Sequence, residues 1–207
     1  MSETLIISIL AASITAGTPI LFAALGELIA ERSGIMNLGV DGMMLVGAVT
    51  GFMITVNTGN PWFGVGMALV AGGLLALIHA YLTVTLRANQ VVSGLALTLF
   101  GSGLSDYLGK AYVGMRAEHT FGKLAIPGLS DIPIIGPVVF KQDILVYISY
   151  VLVAATAFYL YKTRAGLFLR ALGENPAAVD SVGVNVFRLR YLYVMIGGAL
   201  AGLGGAY

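Results

Sequence analysis

The sequence predicts an all-α fold, a polytopic bundle of transmembrane helices. Its mean hydropathy is +0.92, and only 10% of its 207 residues are charged, whereas charged residues make up about a quarter of a soluble domain. A transmembrane helix needs about 20 mostly apolar residues. Six runs meet this requirement: 4–26, 35–57, 62–86, 89–109, 143–161 and 188–207. We therefore predict that residues 1–207 form one transmembrane domain with about six spans.

The two ends of the chain lead to different expectations. The opening MSETLIIS has no basic segment, and no small-residue cleavage site follows it promptly. The first run is therefore predicted to be a retained span rather than a signal peptide. The last run reaches Tyr207 without a polar flank, and we expect the transmembrane domain to be incomplete, with further spans beyond this residue.

Glycines within the runs predict close helix packing. Gly94, Gly101 and Gly103 lie in the fourth run, and Gly198 and Gly202 lie in the sixth. Small residues let helix backbones approach each other in lipid, where no hydrophobic force acts between helices. We expect these glycines to serve packing rather than hinge motion.

The basic residues of the connections predict the orientation, because cytoplasmic loops are enriched in Lys and Arg. If the connection 162–190 is cytoplasmic, alternation of the spans places seven basic residues inside: Arg32, Arg87, Lys162, Arg164, Arg170, Arg188 and Arg190. Four basic residues then lie outside: Lys110, Arg116, Lys123 and Lys141. This imbalance favours an extracellular N-terminus.

Residues 110–142 form the longest outer connection. They contain Pro127, Pro133 and Pro137 with several glycines and mixed charges, a composition typical of turns. We predict turns and a short helix. The connection either contacts an extracellular partner or only joins two spans.

The connection 162–190 carries the polar stretch RALGENPAAVDSVG between two apolar runs. Gly173 ends a short segment, Asn175 is a good N-cap, Pro176 suits the first helical position, and Gly183 ends a helix. So short a helix is marginal in water unless it packs against something. The connection is either a docking element for a partner on the cytoplasmic side or an amphipathic linker.

Several function classes are excluded by what the sequence lacks. The net charge of +1 gives no basic excess that would indicate a nucleic-acid partner. The chain has no cysteine, which excludes disulfides, thiolate catalysis and cysteine metal sites. No Ser/His/Asp set, HExxH motif or paired carboxylates indicate catalysis. His79 has no second ligand at metal spacing and is predicted to be a packed, hydrogen-bonded residue, so we assign no catalytic residue, metal ligand or cofactor.

Two stretches carry a family resemblance. GLFLRALGENPAAVDSVGVNVFRLR and ERSGIMNLGVDGMMLVGA resemble the permease subunits of ABC importers for simple sugars, branched-chain amino acids and nucleosides. The chain is most similar to the nucleoside branch, whose transporters use a binding lipoprotein of the basic-membrane-protein type. The resemblance covers nearly all 207 residues. The alternative is a permease for a simple sugar or a branched-chain amino acid, and a self-sufficient secondary carrier is a further alternative.

The resemblance implies a set of partners and a place in the cell. The chain has no GxxxxGK[ST] phosphate loop, so ATP would be bound and hydrolysed by a separate cytoplasmic ATPase. A second permease subunit would complete the pathway, and an extracellular lipoprotein would deliver the small-molecule substrate. The expected location is the plasma membrane of a prokaryote, which is the inner membrane in a Gram-negative cell.

The resemblance also implies a coupling function for the connection 162–190. Its short helix would insert into a cleft of the ATPase and transmit closure of the ATPase to the spans. Asn175 and Pro176 interrupt the loop pattern of other importers. The coupling residues implied are Gly173, Glu174, Asn175, Pro176, Ala177, Ala178 and Gly183.

Four polar residues at span ends are candidates for the substrate pathway, because polar groups in spans usually face the bundle interior or a wet path. Asn37 and Asp41 lie in the glycine-rich stretch 33–43, which is either a re-entrant piece of the pathway or a hydrated cytoplasmic turn. Asn89 and Gln90 either hydrogen-bond a ribose or base, or cap the fourth span at the membrane interface.

Overall fold

The computed structural model describes residues 3–207, with the side chains from residue 5 onward. Met1 and Ser2, which precede the first predicted span, lie outside the described residues. The helices and strands follow one another as α1 Glu3–Arg32, α2 Val40–Thr58, α3 Pro61–Ala80, α4 Gln90–Gly109, β1 Lys123–Ala125, α5 Ile135–Val139, β2 Lys141–Asp143, α6 Ile144–Lys162, α7 Arg164–Glu174, α8 Pro176–Ser181 and α9 Val186–Ala206. A π-helical turn, Tyr81–Thr85, extends α3, and a 3₁₀ turn, Lys110–Tyr112, extends α4.

Among the described residues 3–207, six helices are long and apolar enough to cross a membrane: α1, α2, α3 with its π turn, α4 with its 3₁₀ turn, α6 and α9. This confirms the predicted all-α polytopic bundle with six spans. Two predicted bounds were wrong. The first run, predicted to end at residue 26, continues as α1 to Arg32, and the second run, predicted from residue 35, becomes helical only at Val40. Residues 33–39 instead turn the chain, with Gly34 at a φ of +84°.

The centre of the bundle is α9, which packs against α1, α2 and α3. The contacts depend on glycine: a Cβ on Gly202 would lie 3.1 Å from the Cα of Gly72, and a Cβ on Gly197 would lie 2.7 Å from the carbonyl oxygen of Gly26. Close backbone approach of this kind replaces the missing hydrophobic force in lipid. A Cβ on Gly198 would likewise lie 2.7 Å from the carbonyl oxygen of Gly72, so the prediction that Gly198 and Gly202 serve packing is confirmed.

Two of the three predicted glycines of α4 make close backbone contacts, Gly101 with α2 and Gly94 with the turn that precedes α2. A Cβ on Gly101 would lie 2.6 Å from the Cα of Gly42, and a Cβ on Gly94 would lie 2.8 Å from the backbone nitrogen of Leu38. The prediction for Gly103 was wrong, because a Cβ there meets nothing within 4 Å in the described structure. Gly103 is two residues beyond Gly101, and residues two apart on a helix point in different directions.

The outer connection contains the predicted short helix, α5, together with an antiparallel pair of strands that the sequence did not indicate. Lys123 of β1 pairs with Asp143 of β2, and Ala125 pairs with Lys141. The side chain of Asp143 also caps α6, by accepting hydrogen bonds from the backbone of Leu145 and Val146. The strand pair thus ends directly at the start of a span.

The connection 162–190 contains two helices. The predicted helix is α8, capped by Asn175, whose side chain accepts a hydrogen bond from the backbone N–H of Ala178 at 3.2 Å. Gly183 follows it at a φ of +80°, as expected for a helix-ending glycine. The prediction that Gly173 ends a segment was wrong, because α7 continues through Gly173 to Glu174. One buried face of α7, with Leu169 and Leu172 fully covered, holds it against the bundle.

Candidate functional site

The segment 33–39, which we call the inner segment, lies between α1 and α2 and is buried in the bundle. Ser33, Ile35 and Asn37 are at most 2% exposed, whereas Met36 and Leu38 are each more than 40% exposed. Non-helical backbone at this position requires hydrogen-bond partners from elsewhere in the protein. The hydrated-turn alternative was therefore wrong for Asn37, while Asp41 is exposed in the first turn of α2.

Side chains from α1 and α4 hold the backbone N–H groups of the inner segment. Glu27 Oε1 accepts a hydrogen bond from Asn37 N at 2.8 Å. Gln90 Oε1 accepts one from Met36 N at 2.8 Å. Glu27 Oε2 is buried without a hydrogen-bond partner among the described residues. The segment is thus tied to the inner halves of two spans.

Side chains from α3 and α9 donate hydrogen bonds to the backbone carbonyl groups of the inner segment. His79 Nε2 donates to the Met36 carbonyl at 3.1 Å, and Arg190 Nε donates to the Ser33 carbonyl at 3.2 Å. The inner segment is therefore hydrogen-bonded to four separate spans, since it donates to side chains of α1 and α4 and accepts from side chains of α3 and α9. A displacement of this segment would change its contacts with all four spans.

His79 is the buried centre of these contacts, as the prediction of a packed, hydrogen-bonded residue requires. Its side chain is 0% exposed, and its Nδ1 lies 3.0 Å from Ser93 Oγ on α4. A carbonyl oxygen only accepts, so the proton on Nε2 is fixed by Met36. In the neutral ring, the Ser93 hydroxyl then donates to Nδ1.

We expect Ser93→Ala to destabilise the protein by about 1–3 kcal/mol, because His79 Nδ1 would be left buried and unsatisfied. Thermal unfolding in detergent measures the loss. Ser102→Ala, at a half-buried position on the same helix, is the matched control and should unfold close to wild type. Equal unfolding of the two variants would contradict the assigned hydrogen bond.

The four predicted pathway residues do not share one surface. Asn37 uses its side chain locally, with Oδ1 accepting from Gly39 N at 3.0 Å, and Gln90 binds the inner segment. Asn89 Oδ1 caps α4 by accepting from Val91 N at 2.9 Å and Val92 N at 3.2 Å. Gln90 thus binds the same segment that contains Asn37, whereas Asn89 caps a helix and Asp41 is exposed at the start of α2.

The predicted coupling residues, in contrast, form one continuous surface on α7 and α8. Pro176 is half-buried and Val179, at 2% exposure, anchors α8 to the bundle. The others are exposed: Gly173, Glu174, Asn175, Ala177, Ala178 and Gly183. Asp180 and Val182 extend this surface, which is acidic and partly apolar.

One end of this surface touches the inner segment. A Cβ on Gly173 would lie 2.6 Å from the carbonyl oxygen of Arg32, and a Cβ on Gly34 would lie 3.3 Å from the Cα of Gly173. The backbones of α7 and of the inner segment are therefore in direct contact. No local pattern in the sequence indicates this contact or the contributions of Glu27 and Arg190.

Comparison with known proteins places these features in a family. The family model "Branched-chain amino acid transport system / permease component" matches residues 9–207. TsgC13 of Haloferax volcanii, provisionally named a glucose ABC transporter permease protein, is 43% identical over 96% of this chain and 61% of its own length. No solved structure matches the chain.

Two further relatives are named as permeases for guanosine or nucleosides. The guanosine ABC transporter permease protein NupQ of Bacillus subtilis is 38% identical over 95% of this chain and 65% of its own length. The nucleoside ABC transporter permease protein NupC of Lactococcus lactis is 37% identical over 91% of this chain and 63% of its own length. The chain thus spans less than two thirds of the length of these relatives. The resemblance seen in the two sequence stretches is confirmed, and this multi-pass membrane chain belongs to the family of branched-chain amino acid transport system permease components.

Proposed function

We propose that this chain is part of the membrane-spanning permease subunit of an ABC importer that translocates nucleosides and is energised by a separate ATPase. The observation that carries the proposal is the exposed, capped helix α8 on a surface whose other end touches the inner segment. Val179 holds this short helix on the bundle, so that its exposed face is presented in a fixed position to a partner. The names of the relatives NupQ and NupC support nucleosides as the substrate.

The ATPase would dock on the surface of α7 and α8 at the basic end of the bundle. That end carries Arg32, Arg87 and the arginines of the connection 162–190, and cytoplasmic loops are enriched in such residues. Glu174 and Asp180 give the docking surface an acidic character, and Val182, at 63% exposure, adds an apolar contact. Basic groups on the partner would complement the two carboxylates.

Movement of the docked surface would reach the spans through the inner segment. Gly173 contacts Arg32 and Gly34 directly, and the inner segment is hydrogen-bonded to α1, α3, α4 and α9. Packed elements shift between discrete arrangements rather than deforming continuously. A shift of α7 would therefore change the arrangement of four spans together.

The remaining partners follow from the class of transporter. A second permease subunit would complete the pathway within the bilayer, and an extracellular lipoprotein would deliver the substrate to the outer end, which carries β1, β2 and α5. The location would be the plasma membrane of a prokaryote. ATP would be bound by the partner ATPase.

Glucose transport is the second candidate function, favoured by the name of TsgC13 and its 43% identity. A branched-chain amino acid is the substrate class suggested by the description of the family. A self-sufficient carrier would have no need of the exposed acidic surface on α8. Uptake of labelled guanosine, glucose and leucine by the complete transporter separates the substrates.

We expect Glu174→Lys to lower uptake at least about tenfold and to abolish co-purification of the ATPase, because the reversed charge would face the basic partner. Asp131→Lys, the same charge reversal in the exposed outer connection, is the matched control and should keep the ATPase bound. Membrane levels of both variants are measured alongside. Uptake that persists without the ATPase would overturn the ABC assignment in favour of a carrier.

Asp41→Ala is measured in the same uptake assay. We propose that the exposed Asp41 carboxylate faces the pathway, and its loss should then lower uptake while the ATPase stays bound. Unchanged uptake would remove Asp41 from the pathway.

A further inference from the structure

A cavity of about 550 Å³ lies at the outer end of the bundle, opposite the docking surface. Its wall is built by α1, the outer ends of α2 and α9, the start of α3, residues 117–121 and the start of α6. The volume falls within the range of about 300–1,000 Å³ that is usual for small-molecule sites. We call it the outer cavity, and its chemistry is given by Thr15, Phe52, Thr55, His119, Phe121 and Asp143.

The polar side of the outer cavity is fixed by hydrogen bonds. Tyr207 donates its hydroxyl to Asp143 Oδ2 at 2.7 Å, while Asp143 Oδ1 caps α6. Burial, followed by the hydrogen bond to Asp143, raises the pKa of Tyr207, so the phenol keeps its proton at neutral pH and remains a donor. The carboxylate is thereby held in place with lone pairs left to accept from a bound molecule.

Aromatic rings form the apolar side of the outer cavity. Phe121 packs edge-on against Trp62, with ring centroids 4.9 Å apart, and Phe52 packs edge-on against Tyr112 at 6.4 Å. Phe121 and Phe52 both line the outer cavity. Rings that are braced by neighbours offer rigid apolar faces for stacking at little cost in side-chain entropy.

A smaller cavity of about 250 Å³ adjoins the outer cavity, with which it shares Thr55 and His119. Its other lining residues include Arg116 and Glu118 of the outer connection. A solute arriving from outside the membrane would therefore pass charged residues first and reach the aromatic and hydroxyl groups next. The smaller cavity therefore lies between the charged residues of the outer connection and the outer cavity.

From this arrangement we infer that the outer cavity is a binding site for a neutral, hydroxylated ring compound, a nucleoside or a monosaccharide. Aromatic faces suit the ring, and the threonine hydroxyls, His119 and the Asp143 carboxylate suit its hydroxyl groups. The inference rests on the proposed function and adds the place where the solute first binds this chain. Nucleoside and monosaccharide share this chemistry and are separated by the experiment.

These 207 residues contain no cysteine, so a thiol introduced here is the only one in this part of the transporter, and the unsubstituted transporter gives the background labelling. Thr55→Cys places one thiol in the cavity wall, and Thr58→Cys places one a turn further out, at an exposed residue that is not part of the lining. The complete transporter in cells is treated with a membrane-impermeant methanethiosulfonate, with and without guanosine or glucose. Ligand at about ten times its Kd should slow labelling of Thr55→Cys about tenfold and leave Thr58→Cys unchanged.

Each outcome separates the cavity from the proposed function, which wild-type uptake tests in parallel. Protection by guanosine alone or by glucose alone supports the site and names its ligand. Failure of the reagent to label Thr55→Cys, or equal labelling with and without both solutes, overturns the site even where wild-type uptake is normal. Protection without wild-type uptake of either solute keeps the site and overturns the transport proposal.

Discussion

Gly101→Leu is expected to remove most of the folded protein from the membrane. A Cβ at this position would lie 2.6 Å from the Cα of Gly42 and 2.7 Å from its carbonyl carbon, so that neither backbone can yield without separating α2 from α4. Overpacking of a core costs about 1–3 kcal/mol and sometimes more, and here backbone meets backbone. Membrane level and thermal unfolding in detergent measure the effect.

The matched control for this change is Gly103→Leu. Gly103 lies on the same helix, and a Cβ there meets nothing within 4 Å among the described residues. Both substitutions replace a helical glycine with leucine, so the change in helix propensity is the same. Loss of folded protein with Gly103→Leu but not with Gly101→Leu would show that α4 packs through its other face.

Gly173→Val is expected to separate ATP hydrolysis from transport. A Cβ at Gly173 would lie 2.6 Å from the Arg32 carbonyl oxygen, so α7 would be pushed away from the inner segment while α8 keeps its exposed surface. The ATPase should therefore still co-purify and hydrolyse ATP. Uptake should fall at least about tenfold, because the path from the docking surface to the spans is broken.

Ala165→Val is the control on the same helix, at an exposed residue away from the inner segment. It introduces the same β-branched side chain into α7 and should leave uptake close to wild type. Normal uptake by Gly173→Val at normal membrane level would show that the Gly173 contact does not carry the movement. Loss of ATPase binding by Gly173→Val would instead assign Gly173 to docking.

The span positions were predictable because hydropathy is a local property of the chain. Runs of about 20 apolar residues can satisfy their backbone in lipid only as helices, and all six appear as helices. The wrong start of the second span, at residues 35–39, arose where apolar residues continue but the backbone is held by Gln90, His79 and Glu27 instead of by its own helix.

The short helix α8 was also predictable, since its signals lie within a few residues of one another. Asn175 caps it, Pro176 starts it, and Gly183 turns the chain after it. The sequence predicted only a short segment ending at Gly173, whereas the structure has an eleven-residue helix, α7, that ends one residue later at Glu174. Its presence depends on burial of Leu169 and Leu172 against the bundle, which is a property of the fold.

The sequence by itself determined the fold class, the spans, the capped helix α8 and the family. Only the tertiary structure decided which polar residues meet: Arg190 reaches Ser33 across 157 positions, and Gln90 binds the inner segment while its neighbour Asn89 caps a helix. The tertiary structure also decided that Gly101 packs against α2 whereas Gly103 has no close neighbour among the described residues, and it formed the outer cavity. The physical reason is that helix formation follows from residues within about a turn, whereas these contacts depend on how the spans pack against one another.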